Sequence, residues 1–240
     1  MMKTAAIVLA AGSGSRMGSQ IKKQYMELGG KPVVYYALKA FEDSFIDEIV
    51  LVCSKEDTEY CRSHIVAEYG FKKVKCVVEG GPERYISVGN GLKALTDCDY
   101  VYIHDGARPF LDQEVLNKLK AEVEEHQAVV TAVPSKDTVK IIDKDGFVIS
   151  TPSRKTVWCV QTPQVFSYRL IRDAYERMEG RAQNVEILGL SVTDDAMIIE
   201  YFTDKRVKLV MGSYSNMKIT TPEDMLIAES LLKKRAEEQN

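Results

Sequence analysis

The sequence lacks the features that mark membrane proteins and nucleic-acid-binding proteins. Its 240 residues contain no apolar run close to the ~20 residues that a membrane-spanning helix needs. Met1–Leu9 is too short for a signal peptide, and its apolar residues lead into a glycine loop instead of a cleavage site. The formal net charge is −3, and no run of Lys or Arg is present to attract a polyanion. We therefore expect a cytoplasmic protein with no membrane or nucleic-acid partner.

Paired cysteines and clustered metal ligands are absent from the sequence as well. The five cysteines are odd in number and never spaced as C-x-x-C, so we expect them to be reduced and mostly buried. The three histidines, His64, His104 and His126, are scattered, which argues against a zinc site. None of them has a recognisable partner for activating a nucleophile.

What the sequence does contain is an alternation of short apolar runs with longer amphipathic segments. The runs predict strands at Thr4–Ala10, Glu48–Cys53, Val74–Glu79, Tyr100–His104 and Ala128–Val133. The amphipathic segments predict helices at Val33–Phe41, Glu56–Tyr69, Glu83–Leu95 and Asp112–Glu125. Strands that are apolar on both faces and separated by helices are typical of a doubly wound, mostly parallel α/β sheet. Ligands of such a sheet bind beyond the carboxyl ends of its strands.

The pattern changes at Pro134. Asp137–Ile142 and Phe147–Ser150 flank a turn and predict a β-hairpin, and Val157–Val160 has the composition of a further strand. A hairpin of this size buries no core of its own, so it must pack on the domain or on another subunit. Later segments predict helices at Tyr168–Met178 and Asp194–Tyr201, a strand at Val207–Met211, and a helix opening at Pro222 with Thr221 as its cap. We predict one domain, residues 1–240, with an arm at about 137–160.

The first predicted strand leads directly into a glycine-rich loop, AAGSGSRMG, at residues 10–18. Glycines let backbone N–H groups approach an anion closely, as in a phosphate-binding nest. The loop has no Walker G-K-[ST] ending, and Met17 breaks the dinucleotide fingerprint G-x-G-x-x-G. A plain tight turn feeding a helix is the alternative. Arg16 and Lys23 favour phosphate binding, because two cations beside a glycine nest suit a triphosphate.

Two further clusters follow predicted strands. In HDGARP, at residues 104–109, Asp105 is placed to hold Mg²⁺ against phosphate oxygens. The alternative is that Asp105 caps a turn and pairs with Arg108. In GGPER, at residues 80–84, the glycines allow the backbone to reach the edge of a flat ligand such as a base.

In their order along the chain, these segments resemble the 2-C-methyl-D-erythritol 4-phosphate cytidylyltransferases, enzymes of non-mevalonate isoprenoid biosynthesis. The matching segments are AAGSGSRMG, KKQY, GGPERYISV, NGL, HDGARP, KDTVK, SR…W…QTPQ, VTDDA and NMKITTPED, and they span almost the whole chain. The resemblance implies a glycosyltransferase A-like fold, Mg²⁺, and CTP and a small sugar-alcohol phosphate as substrates. It also implies a homodimer clasped by an extended β-arm, which the predicted hairpin matches.

The resemblance further implies roles for single residues. Arg16 and Lys23 match residues that stabilise charge on the CTP phosphates. Arg154 and Lys218 match residues that position the sugar phosphate, and Asp105 matches the metal-binding aspartate. Thr138 and Thr193 match two further contacts to the substrate phosphate. The residues that match the nucleotide pocket are Ala10, Ala11, Gly12, Ser13, Gly14, Gly81, Ser87, Asp105, Gly106 and Ala107.

The sequence departs from the family pattern at two places near these residues. Lys22 stands where the family usually has proline, so the rigidity that proline gives the loop is missing. Ser153 stands where an acidic residue often precedes the arginine, so a pairing that orients Arg154 is missing.

The implied reaction is in-line attack by the sugar alcohol's phosphate on the α-phosphorus of CTP, with pyrophosphate leaving. The attacking group is already an anion, so orientation and charge stabilisation suffice without a strong general base. Two alternatives are a ribitol 5-phosphate cytidylyltransferase and a non-catalytic nucleotide-binding module on the same fold. HDGARP, VTDDA and the segment around Trp158 favour the methylerythritol enzyme.

Overall fold

The computed structural model of the protein describes residues 2–12, 14, 21–180 and 192–238. Its strands are β1 (Thr4–Ala10), β2 (Glu27–Leu28), β3 (Lys31–Pro32), β4 (Glu48–Cys53), β5 (Val74–Glu79), β6 (Tyr100–Asp105), β7 (Ala128–Pro134), β8 (Ile141–Ile142), β9 (Val148–Ser150), β10 (Trp158–Ser167) and β11 (Lys208–Met211). Its helices are α1 (Val33–Glu42), α2 (Thr58–Tyr60), α3 (Arg84–Ala94), α4 (Gln113–His126), α5 (Tyr168–Glu179), α6 (Asp195–Phe202) and α7 (Pro222–Glu238). Short 3-10 turns lie at Lys23–Tyr25, Lys55–Asp57 and Arg154–Thr156, and a π-helix at Cys61–Ala67.

A seven-stranded sheet forms the centre, in the order β11-β7-β10-β6-β1-β4-β5. All neighbouring strands are parallel except β10, which runs antiparallel to both β6 and β7. The prediction of a doubly wound, mostly parallel α/β fold is therefore confirmed. The carboxyl ends of β1 and β6 meet at one edge, where Leu9 pairs with Asp105.

The core lies on both faces of this sheet, because alternate residues of each strand point to opposite sides. On one face, Ala6 and Val8 pack with buried residues of α1 and α4. On the other face, Ala5 and Ile7 pack with buried residues of α3, α5 and α6. A third apolar cluster joins α7 to Leu28 and Val33. Burial on two faces explains why the central strands are apolar along their whole length.

Most predicted elements agree with the structure to within a few residues, but some differ in extent or type. The predicted helix Glu56–Tyr69 is divided into a 3-10 turn, the short α2 and a π-helix. Within it, the Ser63 hydroxyl donates to the Glu59 carbonyl at 2.7 Å, a bond that competes with regular helix pairing. The strand expected at Val157–Val160 is the start of the ten-residue β10.

The predicted hairpin forms a separate two-stranded sheet of β8 and β9. Its strands are shorter than predicted, and five of its large apolar side chains are exposed: Ile141, Ile142, Phe147, Val148 and Ile149. Among the residues described, no helix has the length and apolar character needed to cross a membrane.

Candidate active site

Two adjoining cavities open at the carboxyl ends of β1, β5 and β6. The first has a volume of about 370 Å³ and is lined by Leu9, Ala10, Ala11, Gly12, Lys23, Gln24, Gly81, Pro82, Glu83, Arg84, Ser87, Asp105, Ala107 and Lys218. The second, of about 290 Å³, is lined by Arg84, Asp105, Arg108, Val160, Gln161, Thr162, Gln164, Thr193, Asp194 and Lys218. Arg84, Asp105 and Lys218 belong to both, so these three charged side chains form the boundary between the cavities.

Close packing of loops builds the first cavity. The Gly81 amide donates to the Ser87 hydroxyl at 3.0 Å, which fixes the turn between β5 and α3. A methyl group added at Gly80 would lie 2.6 Å from the Ala11 Cβ, so the loops after β1 and β5 can meet only with glycine there. Gly14 has φ +67°, and a Cβ at that position would lie 3.3 Å from the Lys23 backbone nitrogen. The glycine loop and Lys23 are therefore in direct contact.

Asp105 is surrounded by three cations. Its carboxylate lies 2.8 Å from Lys218 Nζ, 3.4 Å from Arg84 Nε and 3.8 Å from Arg108 Nε. Burial opposes ionisation of this carboxyl, but the three positive charges outweigh burial and hold its pKa well below the ordinary value. Asp105 is therefore a carboxylate at any physiological pH. Asp105 pairs with Arg108, as the alternative interpretation of this turn predicted, and it also lines both cavities.

Arg84 connects this carboxylate to a second buried one. Its Nη2 lies 2.8 Å from Asp195 Oδ2, as an ion pair without the alignment of a hydrogen bond. Asp195 is fully buried at the start of α6, and its other oxygen accepts from the Tyr175 hydroxyl at 2.7 Å. The Gln164 side-chain oxygen accepts from the Asp195 and Ala196 amides at 3.0 Å each. The first turn of α6 is thus tied both to β10 and to the cavity wall.

His104 holds the turn after β6 from beneath. The Asp105 amide donates to the Thr162 hydroxyl at 3.0 Å, and that hydroxyl lies 3.0 Å from His104 Nδ1. The other ring nitrogen, Nε2, lies 3.2 Å from the Arg108 carbonyl. These partners fit a neutral ring with its proton on Nε2, and burial lowers the pKa of His104 to about 4.

The sequence showed no partner for His104 that could activate a nucleophile, and the structure places the Thr162 hydroxyl beside its ring. Its partner Thr162 was not recognisable from the sequence, because the two residues lie far apart along the chain. Both side chains are buried, so this pair supports the turn and offers no exposed nucleophile.

The segment that carries Lys218 is fastened to the same turn. The Asn216 side chain is buried and donates to the Thr162 carbonyl at 2.8 Å. Arg108 Nη1 donates to the Asn216 carbonyl at 2.8 Å, and the Ile219 amide donates to the Ala107 carbonyl at 2.9 Å. Lys218 is therefore held between two anchored neighbours.

Comparison with known proteins decides which family this site belongs to. The family model of 2-C-methyl-D-erythritol 4-phosphate cytidylyltransferase (IspD) matches residues 4–234. The chain belongs to this family. It is 49% identical to the enzyme of that name from Lachnoclostridium phytofermentans over 97% of both chains. It is 52% identical to that from Lachnospira eligens over 95% of this chain and 98% of the relative.

Solved IspD structures agree with this assignment. The 4-diphosphocytidyl-2C-methyl-D-erythritol synthase of Anaerococcus prevotii is 40% identical, covers 97% of this chain and 96% of its own, and superposes with a TM-score of 0.80. The resemblance inferred from the motifs is confirmed, and so is the prediction of a nucleotidyltransferase enzyme.

The structure brings most of the predicted IspD site residues together. The first cavity contains Ala10, Ala11, Gly12, Lys23, Gly81, Ser87, Asp105, Ala107 and Lys218. Thr193 joins Asp105 and Lys218 in the second cavity. Gly14 packs on Lys23, and Gly106 is buried, with its amide donating to the Leu9 carbonyl at 2.8 Å. Ser13 and Arg16 lie outside the described residues.

Thr138 and Arg154 lie elsewhere. Both are exposed on the segment between β7 and β10, and neither is among the residues that line the two cavities. The Arg154 guanidinium donates to the Lys136 carbonyl at 3.2 Å. This backbone oxygen orients the side chain in place of the acidic residue that was expected at position 153.

Four residues that build the site were not singled out from the sequence: Arg84, Thr162, Asp195 and Asn216. Each belongs to a motif segment that was noted, but the residue's own contacts are long-range. The signal that could have found Arg84 is its position at the start of a helix after the glycine pair, where a cation faces the same edge as Asp105.

Proposed function

We propose that this protein transfers CMP from CTP to 2-C-methyl-D-erythritol 4-phosphate, giving 4-diphosphocytidyl-2-C-methyl-D-erythritol and pyrophosphate. The observation that carries the proposal is the pair of cavities that meet at Asp105 and Lys218 in a chain of this family. Two anionic substrates need two adjacent compartments with cations at their boundary. The relatives' name favours methylerythritol phosphate over ribitol 5-phosphate as the acceptor.

In this proposal the first cavity binds CTP. The backbone at Gly81, fixed by Ser87, contacts the base, and the loop from Ala10 to Gly14 receives the phosphates through backbone N–H groups. Lys23 packs against that loop, where its ammonium would stabilise charge that grows on the phosphates during transfer. Arg16 has the same proposed role.

The second cavity binds the sugar phosphate. Thr193 and Lys218 line it, and a hydroxyl with an ammonium provides donors for a phosphate monoester. Lys218 at the boundary would orient an acceptor oxygen toward the α-phosphorus in the first cavity. Since the attacking oxygen is anionic, the residues need only align it and neutralise charge.

Asp105 is the residue proposed to hold Mg²⁺. The described residues contain no cluster of three or more His, Cys, Asp or Glu side chains for a metal. One carboxylate nevertheless suits Mg²⁺, which commonly takes one or two carboxylates and completes its shell with substrate phosphates and water. When bound, the ion would neutralise phosphate charge. To bind the ion, the Asp105 carboxylate would have to give up part of its contact with Lys218 or Arg84.

We also propose that residues 1–240 form one domain whose arm, at about 137–160, clasps a second copy as a homodimer. The exposed apolar side chains of β8 and β9 support this, because water would otherwise contact them. Thr138 and Arg154 lie on the same arm and away from their own cavities, so they would serve the partner's site. A cytoplasmic location stays a prediction. The five free cysteines support it, because thiols stay reduced in that compartment.

The test is pyrophosphate release from each nucleoside triphosphate with each sugar phosphate. CTP with Mg²⁺ and methylerythritol phosphate should react fastest, and faster turnover of ribitol 5-phosphate at equal concentration would overturn the proposed acceptor. Lys23→Ala should lower kcat by roughly 10²–10³, the effect of removing one preorganised charge-stabilising donor. Lys55→Ala is the matched control, since its side chain is 82% exposed and outside both cavities. Equal kcat for these two variants would remove Lys23 from the mechanism.

A further inference from the structure

The short turn that carries Lys23 is tied down by its neighbours on both sides. Gln24 is buried, and its side-chain amide donates to the Ala10 carbonyl at 2.6 Å and the Gly12 carbonyl at 3.0 Å. The Tyr25 hydroxyl lies 3.1 Å from Cys61 Sγ. These contacts fasten the end of the turn to the glycine loop and to the π-helix.

Lys22 fastens the beginning of the turn. Its ammonium lies 2.6 Å from the Ser54 hydroxyl, 2.9 Å from Glu56 Oε1 and 2.7 Å from Asp57 Oδ2. Asp57 also accepts from the Ser54 hydroxyl, so the acceptors form one cluster just after β4. The side chains of Lys22 and Asp57 are 22% and 18% exposed, which limits screening of this ion pair by solvent.

The backbone of Lys22 has a conformation that proline also adopts. Its φ is −62° and its ψ is 137°. A proline there would fix φ through its ring, whereas in this chain the ion pairs of the side chain fix the same residue. Three ammonium contacts with one acidic cluster also direct Lys22 away from the first cavity, whose lining includes Lys23 and not Lys22.

We propose that Lys22 is a positioning residue, whose ion pair with Asp57 fixes the turn that presents Lys23 to the phosphates of CTP. This inference rests on the proposed function for the role of Lys23. Lys22 itself contacts no substrate. Its side chain supplies a restraint on this residue that a proline ring would supply through φ.

The first test is kinetic, with Lys22→Met, Lys22→Pro, Asp57→Asn and the double variant Lys22→Met/Asp57→Asn. Lys22→Met should lower kcat/KM for CTP by roughly 10-fold to 100-fold, as expected when a catalytic group is misplaced by a fraction of an ångström or more. Asp57→Asn should act in the same direction, and the double variant should be no worse than Lys22→Met, because both remove one interaction. Lys39→Met is the control, since Lys39 lies on α1 and makes an exposed pair with Asp43, just beyond the end of that helix.

Lys22→Pro separates positioning from direct contact. It removes the ammonium but restores the restraint on φ, so it should recover most of the activity that Lys22→Met loses. If Lys22→Pro were as impaired as Lys22→Met, the ammonium would act directly and the proposal would be wrong. Wild-type activity in Lys22→Met would also overturn it.

The second test does not depend on activity. The Tyr25 amide donates to the Lys22 carbonyl at 2.9 Å, and the Met26 amide to the Lys23 carbonyl at 3.3 Å. Hydrogen exchange of these two amides should be roughly 10-fold faster in Lys22→Met than in the wild type or Lys22→Pro, because the turn opens more often. Unchanged exchange would refute the restraint even if CTP turnover is confirmed. Faster exchange in a protein that does not use CTP would keep the restraint and overturn only the proposed function.

Discussion

Lys218 and Asp105 face each other at the boundary between the two cavities, with 2.8 Å between the ammonium and the carboxylate. The residue proposed to hold the sugar phosphate thus already contacts the residue proposed to hold the metal. From the sequence, Lys218 was expected to act on the sugar phosphate alone. Because Lys218 lines both cavities, we predict that replacing it affects the binding of both substrates, and to different extents.

Lys218→Met should lower kcat by roughly 10²–10³ and raise KM for the sugar phosphate, because the ammonium both binds and aligns that phosphate. The affinity for CTP should change less, since Lys23 and the glycine loop remain. Lys218→Arg should restore only part of the activity, because a planar guanidinium cannot replace a compact ammonium. Steady-state kinetics and CTP calorimetry provide the measurement. Lost CTP binding with an unchanged KM for the sugar phosphate would place Lys218 in the wrong compartment.

The buried ion pair of Arg84 and Asp195 should contribute to stability. Asp195→Asn leaves Arg84 with one carboxylate fewer in a buried position, and should lower the free energy of unfolding by about 3 kcal/mol. Urea denaturation measures this change. Asp173→Asn on the exposed side of α5 is the control and should cost far less. Similar losses in the two variants would show that the Arg84 contact is not the cause.

His104 should make the protein less stable in mild acid. An unfolded histidine takes up a proton near pH 6.5, whereas burial lowers the pKa of His104 to about 4 in the folded protein. Between these values the unfolded state binds more protons, so the free energy of unfolding falls as pH falls, by about 3 kcal/mol over the window. Below that window, the lowered pKa of Asp105 adds a further loss.

The measurement is urea denaturation from pH 7 to pH 4. His104→Gln is expected to be less stable throughout and to show a smaller slope against pH, while exposed His64→Gln should keep the wild-type slope. An unchanged slope in His104→Gln would assign the acid sensitivity to other groups.

The arm should hold the proposed dimer together. Replacing residues 137–150 with a short Gly/Ser link removes the exposed apolar residues of β8 and β9, and should yield monomers by light scattering. Arg154→Ala should still form dimers but lose activity. Mixing Arg154→Ala with the inactive Lys23→Ala variant should restore part of the activity. In such a mixed dimer, one site combines Lys23 of the first protomer with Arg154 of the second, provided that Arg154 serves the partner's site. Dimers that persist without the arm would place the interface elsewhere.

How far the sequence predicts this fold depends on the range of the contacts. The bounds of β1, β4 and β5 were predicted correctly, since their residues form short apolar runs. Burial on both faces accounts for the runs of β1 and β4, whereas β5 lies at the edge of the sheet and buries only Val77. The extent of β10 was not predicted correctly. Its segment Gln161-Thr162-Pro163-Gln164 contains a proline and polar residues, which are typical of loops. Its place in the sheet depends on pairing with β6 and β7 instead.

The same reasoning applies to the site. Glycines and charged residues that follow strands are local signals, so the sequence could place Lys23, Gly81 and Asp105 at this end of the sheet. The partners of Lys22 and His104 come from distant segments, and only the fold brings Asp57 and Thr162 to them. In the case of Lys22, the missing proline was visible, but the ion pair that replaces its restraint was not.

Trp158 provides an intrinsic optical probe of this enzyme. It is the only tryptophan in the 240 residues, and it lies half-buried at the first residue of β10, where the arm joins the sheet. Four residues further along the same strand is Thr162, which accepts from the Asp105 amide. Fluorescence from this single indole therefore originates between the arm and the site. Its emission wavelength and quenching would report dissociation of the proposed dimer and substrate binding on unlabelled, unmutated protein.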